Sequence, residues 1–368
     1  MPAGFLIWRS DGTIADMLQF GPYSISAHDF GTFRLDGGSM FGSVPKNLWA
    51  KRIQADDENC IALATRCLLI RDNKRTILVD CGMGEKWSDK SRQIYAIHSN
   101  TPEQAGIDPS QITDLILTHL HFDHAGGVTR YKKGTHEPEL VFPQAKVFLQ
   151  ALNWENARHP NFKERASYLA ENVEPLAKAD LNLVSGTMEV LPNIWVHQVN
   201  GHTRGQQWVE IRNGAESIVY PTDLIPTSHH VPLAYHMGYD ICAETLLKEK
   251  DEFLSQAVSR RWIVVCEHDV GVAVNNPHNE MNFVSFRDVE LPAQITKTQA
   301  EKEIHFIDEA GKIHRNIDAI LEIWGRSRGT SWLIKLGKLP GIKHLLRLGY
   351  RLVAANRHGH RRISDSKF

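Results

Sequence analysis

Cysteine is scarce and scattered: Cys60, Cys67, Cys81, Cys242 and Cys266 are five in 368 residues, odd in number and without a CxxC pair. That excludes a disulfide framework and reads as reduced thiols in a cytoplasmic protein. No run approaches the roughly 18 apolar residues of a membrane span, so no transmembrane segment is expected. The start, Met1-Pro2-Ala3-Gly4-Phe5-Leu6-Ile7-Trp8-Arg9, has no basic leader and too short an apolar run for a secretory signal. Internal repeats and low-complexity segments are missing as well. There is no charge surplus either: 42 Lys+Arg face 43 Asp+Glu, a net charge of -1, which argues against a dedicated nucleic-acid binder. With 23% charged and 42% hydrophobic residues, a disordered chain is excluded.

What is plentiful is histidine, 19 in all, and the question is where they sit. The length fits about two domains, or one large α/β unit with an appendage. Cys67–Arg71 and Thr76–Asp80 flank the polar turn Asp72–Arg75, a hairpin pattern. Further strands are expected at Ile112–Thr118, Lys146–Leu149, Ile194–Val199, Ser217–Tyr220 and Trp262–Cys266. Helical patterns fall at Asn153–His159, Arg165–Ala179 and Ala243–Arg260. Strands interleaved with helices over about 280 residues predict a layered α/β domain. Past Asn275 the composition shifts, and Lys312–Phe368 holds 13 Lys+Arg against 3 Asp+Glu. The remainder is therefore acidic, and the boundaries expected are 1–280 for the main domain and 292–368 for a basic appendage.

The strand ending at Thr118 runs straight into His119-Leu120-His121-Phe122-Asp123-His124-Ala125-Gly126-Gly127. On an extended segment His119 and His121 point the same way and can grip one metal ion. Asp123 and His124 then fall where the chain enters a helix and aim at a neighbouring site. The Gly126-Gly127 pair is expected to let the backbone turn tightly. Three later strands deliver His202 (in Gly201-His202-Thr203), Asp223 (in Pro221-Thr222-Asp223) and His268 (in Cys266-Glu267-His268) to the same sheet edge. Five His and two Asp suffice for two metals.

With these motifs the sequence resembles the metallo-β-lactamase superfamily of metallohydrolases over about residues 20–275. The segment Asp29–Gly42, DFGTFRLDGGSMFG, is similar to the branch holding the N-acyl-homoserine lactone lactonases and methyl parathion hydrolase. The resemblance implies a four-layer αββα sandwich with a small α+β C-terminal appendage. It also implies that His119, His121 and His202 hold a first metal, that Asp123, His124 and His268 hold a second, and that Asp223 bridges both. Asp80, in Val79-Asp80-Cys81-Gly82, matches the family's aspartate beside the site and would orient a ligand histidine.

A donor set of imidazole and carboxylate, with no cysteine, suits two Zn²⁺ first and Mn²⁺, Fe²⁺ or Co²⁺ as well. Two ions roughly 3.5–4 Å apart can share a bridging water and turn it into hydroxide near neutral pH, while one polarises the oxygen under attack. Asp123 is then the expected proton shuttle and, with bridging Asp223, the catalytic pair. The expected activity is hydrolysis of a small ester, an acyl-homoserine-lactone-like lactone or a phosphotriester. Alternatives are a phosphodiesterase or nuclease of the same superfamily and a metal-holding docking protein with a vestigial site. The acidic main domain weighs against the former, and the complete ligand set against the latter.

One position departs from the lactonases, which carry a tyrosine three residues after the bridging aspartate; here it is Pro226. Tyr220, Tyr235, His229 and His230 are candidates for its role. Met40, Phe41, Trp49 and Trp87 are candidates for an apolar pocket mouth, with ordinary core as the alternative. His28, His98, His159, His197, His236 and His278 read as background.

In the tail, Ile304–Ile313 reads as a hairpin, Ile317–Gly325 as a helix and Ile342–His358 as a basic helix. Asp318-Ala319-Ile320-Leu321, Leu339-Pro340-Gly341 and Tyr350–Arg357 are similar to the C-terminal half of DCC-type thiol-disulfide oxidoreductases. That family's cysteine motif is absent, so the expected role is structural or docking. Weak membrane-surface contact by the basic helix and a homo-oligomer stay open.

Overall fold

The computed structural model describes residues 17–270, together with strand backbone at 274–275, 305–307 and 313–315. The chain separates into two compact units, Met1–His278 and Asn279–Phe368. In the first, two large sheets form, beside a small pair of Thr129–Tyr131 with Pro138–Leu140. One runs in the order Leu18–Phe20, Tyr23–Asp36, Cys60–Arg71, Thr76–Val79, Asp114–Ile116, Lys146–Gln150, Asp180–Val184. The other runs Met188–Leu191, Ile194–Val199, Gln206–Asn213, Glu216–Tyr220, Ile263–Val265, Val274–Asn275.

Alternation along the strands decides the layers. Leu68, Ile70, Ile77, Val79, Ile116 and Phe148 of the first sheet meet Ile194, Val196, Val209, Ile211, Ile218 and Val265 of the second in one buried cluster. Their neighbours Cys67, Leu69, Leu78, Leu115, Val147 and Leu149 face the opposite way and pack with Ala157, Val173 and Leu176. On the far side of the second sheet, Val199, Trp208 and Val219 meet Leu246, Phe253 and Ala257. The result is the expected αββα sandwich. Helix Ala243–Arg260 has the predicted bounds, buries Leu246, Lys250, Phe253 and Ala257 on one stripe, and ends where Arg261 turns left-handed at φ 55°.

One expected helix needs correction, and one strand went unforeseen. Arg165–Ala179 is no single helix: it holds a turn, the short helix Ala170–Val173 and a 3₁₀ segment Glu174–Lys178, with Pro175 unable to continue α-helical bonding. The long strand Tyr23–Asp36 was not foreseen, because both its faces are largely buried and the polar alternation is lost. Of the two readings of Met40, Phe41 and Trp49, ordinary core holds, since they are 2%, 0% and 1% exposed. In the second unit His305–Ile307 pairs antiparallel with Ile313–Arg315, as the hairpin reading expects. The helices expected at Ile317–Gly325 and Ile342–His358 lie outside the described residues. No helix among the described residues is long and apolar enough to cross a membrane.

Sheet packing buries one carboxylate far from the histidine cluster. Glu210, 1% exposed, receives Arg212 Nη2 at 2.6 Å and Ser217 Oγ at 2.8 Å and lies 3.0 Å from His197 Nε2. Burial alone would raise its pKa, but these three partners bring it down to about 2. A depressed carboxylate stabilises the fold above the unfolded value near 4.5, and that stability is lost as pH falls through about 2. Discounted for the half-exposed arginine, Glu210→Gln should cost on the order of 2 kcal/mol at pH 7. The gap in urea midpoints between the variant and wild type should narrow as pH falls below about 4.5 and close only near pH 2; a gap constant with pH would contradict this.

Candidate metal centre

Every chemistry-bearing residue sits just beyond the C-terminal end of a strand. His119 and His121 follow Asp114–Ile116, and His121 N-caps the one-turn helix Phe122–Ala125, which carries Asp123 and His124. His202 follows Ile194–Val199, Asp223 lies in the 3₁₀ turn Thr222–Leu224 after Glu216–Tyr220, and His268 follows Ile263–Val265. The structure thus brings all seven predicted residues together at one sheet edge.

Their donor atoms converge as two groups. His119, His121, His202 and Asp223 form one, and Asp123, His124, Asp223 and His268 the other; within each the atoms lie within 4.8 Å of one another. Asp223 belongs to both. Its Oδ2 is 3.1 Å from His202 Nε2, 3.3 Å from His124 Nε2 and 3.7 Å from His119 Nε2, while Oδ1 is 3.1 Å from His268 Nε2. His121 Nδ1 is 3.1 Å from His202 Nε2. Asp123 Oδ2 is 3.9 Å from both His124 Nε2 and His268 Nε2. His119 Nε2 and Asp223 Oδ1 are buried and have no hydrogen-bond partner. Such atoms are costly unless something satisfies them, and a cation accepts lone pairs from both kinds of donor. The residues therefore fit divalent ions.

Behind the donors, most rings are pinned through the opposite nitrogen. His202 Nδ1 meets Asp240 Oδ1 at 2.9 Å, and His268 Nδ1 meets the Ala64 carbonyl at 2.7 Å. His124 Nδ1 lies 3.1 Å from Asp80 Oδ2 and also 3.1 Å from Glu267 Oε2. Asp80 is itself held by the backbone N–H and hydroxyl of Thr118, each at 2.8 Å. It plays the orienting part that the resemblance implies for it. With a nitrogen fixed as donor, each ring offers the other as a lone pair.

Electrostatics follow from burial and interleaved charge. Burial and the neighbouring imidazoles push His119 well below its ordinary value. Burial acts against the charged form of His202 and His268 too, but Asp223, with Asp240 for the first and Glu267 for the second, raises them to about 10 and about 9. Asp223 resists burial and falls well below the carboxylate range because His202, His124 and His268 surround it. Glu267 goes up, driven by its burial.

Sequence reasoning missed Glu164, Asp240 and Glu267, which lie behind candidate donor rings; only Glu267, beside His268, had a local signal. His236, read as background, also touches this layer at 3.6 Å from Asp240 Oδ2. Of the candidates for the missing tyrosine, the Tyr220 hydroxyl donates to the Arg66 carbonyl at 2.6 Å. His230 is stacked on Phe41, its Nε2 2.8 Å from the Met40 carbonyl, and Tyr235 packs edge-on against Phe41. His229 is half-buried. A phenol not considered, Tyr239, is 41% exposed. Its pKa is raised, by partial burial first, and it adjoins Asp240, whose carboxylate meets His202 Nδ1.

Comparison with known proteins agrees with this arrangement. The model of the metallo-beta-lactamase superfamily matches residues 61–268 and ends on the last donor histidine. That of DCC1-like thiol-disulfide oxidoreductases matches residues 264–362. An N-acyl homoserine lactonase of Bacillus cereus is 24% identical over 237 residues, which are 58% of this chain and 84% of that protein. The crystal structure of a probable metal-dependent hydrolase from Staphylococcus aureus superposes with a TM-score of 0.64 at 27% identity, covering 68% of this chain and 91% of that one. A dizinc quorum-quenching lactonase solved with an N-acyl-homoserine product shares the fold at TM-score 0.55 and 20% identity, over 69% of this chain and 90% of that one.

Proposed function

The chain belongs to the metallo-β-lactamase superfamily and is a hydrolase related to N-acyl homoserine lactonases, and from that premise we propose a dinuclear enzyme acting on small molecules. In this reading His119, His121 and His202 hold one ion, Asp123, His124 and His268 the other, and Asp223 serves both. The observation that carries it is the shared Asp223 carboxylate, which reaches His202 and His119 of one donor group and His124 and His268 of the other, beside buried donor atoms with no hydrogen-bond partner. Zn²⁺ is the first choice for this donor set, with Mn²⁺, Fe²⁺ and Co²⁺ as competitors.

When bound, the ion pair supplies an acidified water and a Lewis acid for the substrate carbonyl or phosphoryl oxygen. The protein's own part is positioning and proton transfer. Asp123 has the most exposed side chain of the seven, at 13%, so its carboxylate can collect the proton of the attacking water and hand it to the leaving group. Tyr239, partly exposed and next in the chain to the Asp240 that holds His202, takes the place of the tyrosine missing at Pro226 and donates its hydroxyl to the substrate oxygen. Tyr239→Phe should lower kcat about tenfold, as for loss of one hydrogen bond to developing charge, with metal content unchanged. An unaltered kcat would remove Tyr239 from the scheme.

A lactone or ester is the substrate class that the lactonase relatives support best. We assign the reaction to residues 1–280 and a docking role to 292–368. The test is a panel of N-acyl-homoserine lactones, aryl esters and phosphotriesters run on Zn²⁺, Mn²⁺, Co²⁺ and Fe²⁺ reconstitutions. Turnover of at least one class supports the proposal; two loaded ions with no turnover of any class would sink it. Strong nuclease activity lost on deleting 292–368 would instead favour the nucleic-acid alternative.

A further inference from the structure

His121 stands apart from the other donor rings. Its Nδ1 faces the first donor group, 3.1 Å from His202 Nε2, so the nitrogen turned away is Nε2. That Nε2 is buried and has no hydrogen-bond partner. A neutral imidazole carries one N–H, and a ring that ligates through Nδ1 must carry it on Nε2. Facing Nε2 at 3.7 Å is Glu164 Oε2, and the Glu164 side chain is 3% exposed.

Glu164 is built into its place. Its carboxylate accepts from Thr203 Oγ1 at 2.6 Å, Asn156 Nδ2 at 2.9 Å and Asn161 Nδ2 at 2.7 Å. Thr203 is the residue after His202, so one carboxylate reaches both loops of the first donor group. Lys163, next to it, donates through Nζ to the Asp240 carbonyl, behind His202. Three donors on the carboxylate hold it firmly, yet Oε2 still has a lone pair on the His121 side.

We infer that Glu164 is the positioning residue of the first ion site: it accepts the Nε2–H of His121 and fixes the tautomer that offers Nδ1 to the ion. The inference rests on the proposed assignment of His121 as a ligand. At 3.7 Å the two atoms are not yet hydrogen-bonded, so the proposed contact requires a shift of a few tenths of an ångström or more in the loaded protein. No hydrolytic chemistry is asked of Glu164 itself.

The test uses the full-length protein and Zn²⁺ alone, titrated against a chelator of known affinity, in wild type, Glu164→Ala and Glu164→Gln. Loss of a residue behind a ligand costs about 10–100-fold in metal affinity, and that loss is expected at the first ion of Glu164→Ala. Glu164→Gln keeps an acceptor oxygen without the charge and should lose about three- to tenfold. The second ion should hold within about twofold in both variants. Imidazole ¹⁵N NMR of the Zn²⁺-loaded wild type should report His121 as the Nε2–H tautomer. A folded Glu164→Ala variant with wild-type affinity for the first ion, or a His121 protonated on Nδ1, would overturn the inference. Where Glu164→Ala fails to fold, unchanged first-ion affinity in Glu164→Gln overturns it equally. Wild-type protein that takes up no Zn²⁺ overturns this inference and the proposed function together, whereas equal uptake by wild type and variants overturns only the role of Glu164.

Discussion

Asp223→Ala should lose both ions and hydrolysis in a single step. The other six donors each serve one group, but Asp223 is common to both, with Oδ2 toward His202, His124 and His119 and Oδ1 toward His268. Removing it also strips the counter-charge from His202, His124 and His268, the imidazoles that hold Asp223 well below the usual carboxylate range. The expected fall in kcat/KM is about 10⁴-fold or more, since the Lewis acid and the activated water disappear together. Elemental analysis of the dialysed variant should find well under one ion per chain. His121→Ala, by contrast, touches the first group alone and should retain the second ion. Two ions retained in Asp223→Ala would mean that the carboxylate is no bridge.

The second large effect is on folding. Gly127→Ala should lower the melting temperature steeply, because a Cβ there would stand 2.0 Å from the Cys81 carbonyl oxygen and could not be relieved by a side-chain movement. The Gly127 N–H donates to the Gly82 carbonyl at 3.0 Å, so the two backbones are already locked in contact. Overpacking against backbone costs about 3 kcal/mol, which for a domain of this size is roughly 6–12 °C by calorimetry. A shift under about 2 °C would show that the strand ends can separate cheaply. Gly126 has the same problem, with its Cβ 2.1 Å from the Met83 carbonyl oxygen. This corrects the expectation that the pair permits a tight turn. Gly126 has φ -62° and ψ -33°, values open to any residue; what excludes side chains is the approach of the segment around Cys81 and Met83.

The ligand set was legible because its geometry is local. His119 and His121 need only the period of an extended chain, Asp123 and His124 only the helix start, and His202, Asp223 and His268 only the end of a strand. Asp80 was legible through the resemblance alone. The layer behind the rings was not, because tertiary contact selects it: Asp240 reaches His202 across 38 residues, and the Thr203 hydroxyl reaches Glu164 across 39. Glu164 even lies just before a segment read as helix, in a turn that Asn161 organises through its side chain. Tyr239 was missed because nothing local marks it: its neighbours Asp240 and Ile241 meet His202 only through tertiary contact. The long strand Tyr23–Asp36 escaped for the opposite reason, burial on both faces erasing the alternation on which strand reading depends.

The central claim, two ions sharing Asp223, is tested most directly by anomalous diffraction from crystals of the Zn²⁺-loaded protein. The account predicts two peaks, one among His119 Nε2, His121 Nδ1 and His202 Nε2, the other among Asp123, His124 Nε2 and His268 Nε2, with an Asp223 oxygen on each. A single peak, or two peaks that leave Asp223 without contact to one of them, would contradict it.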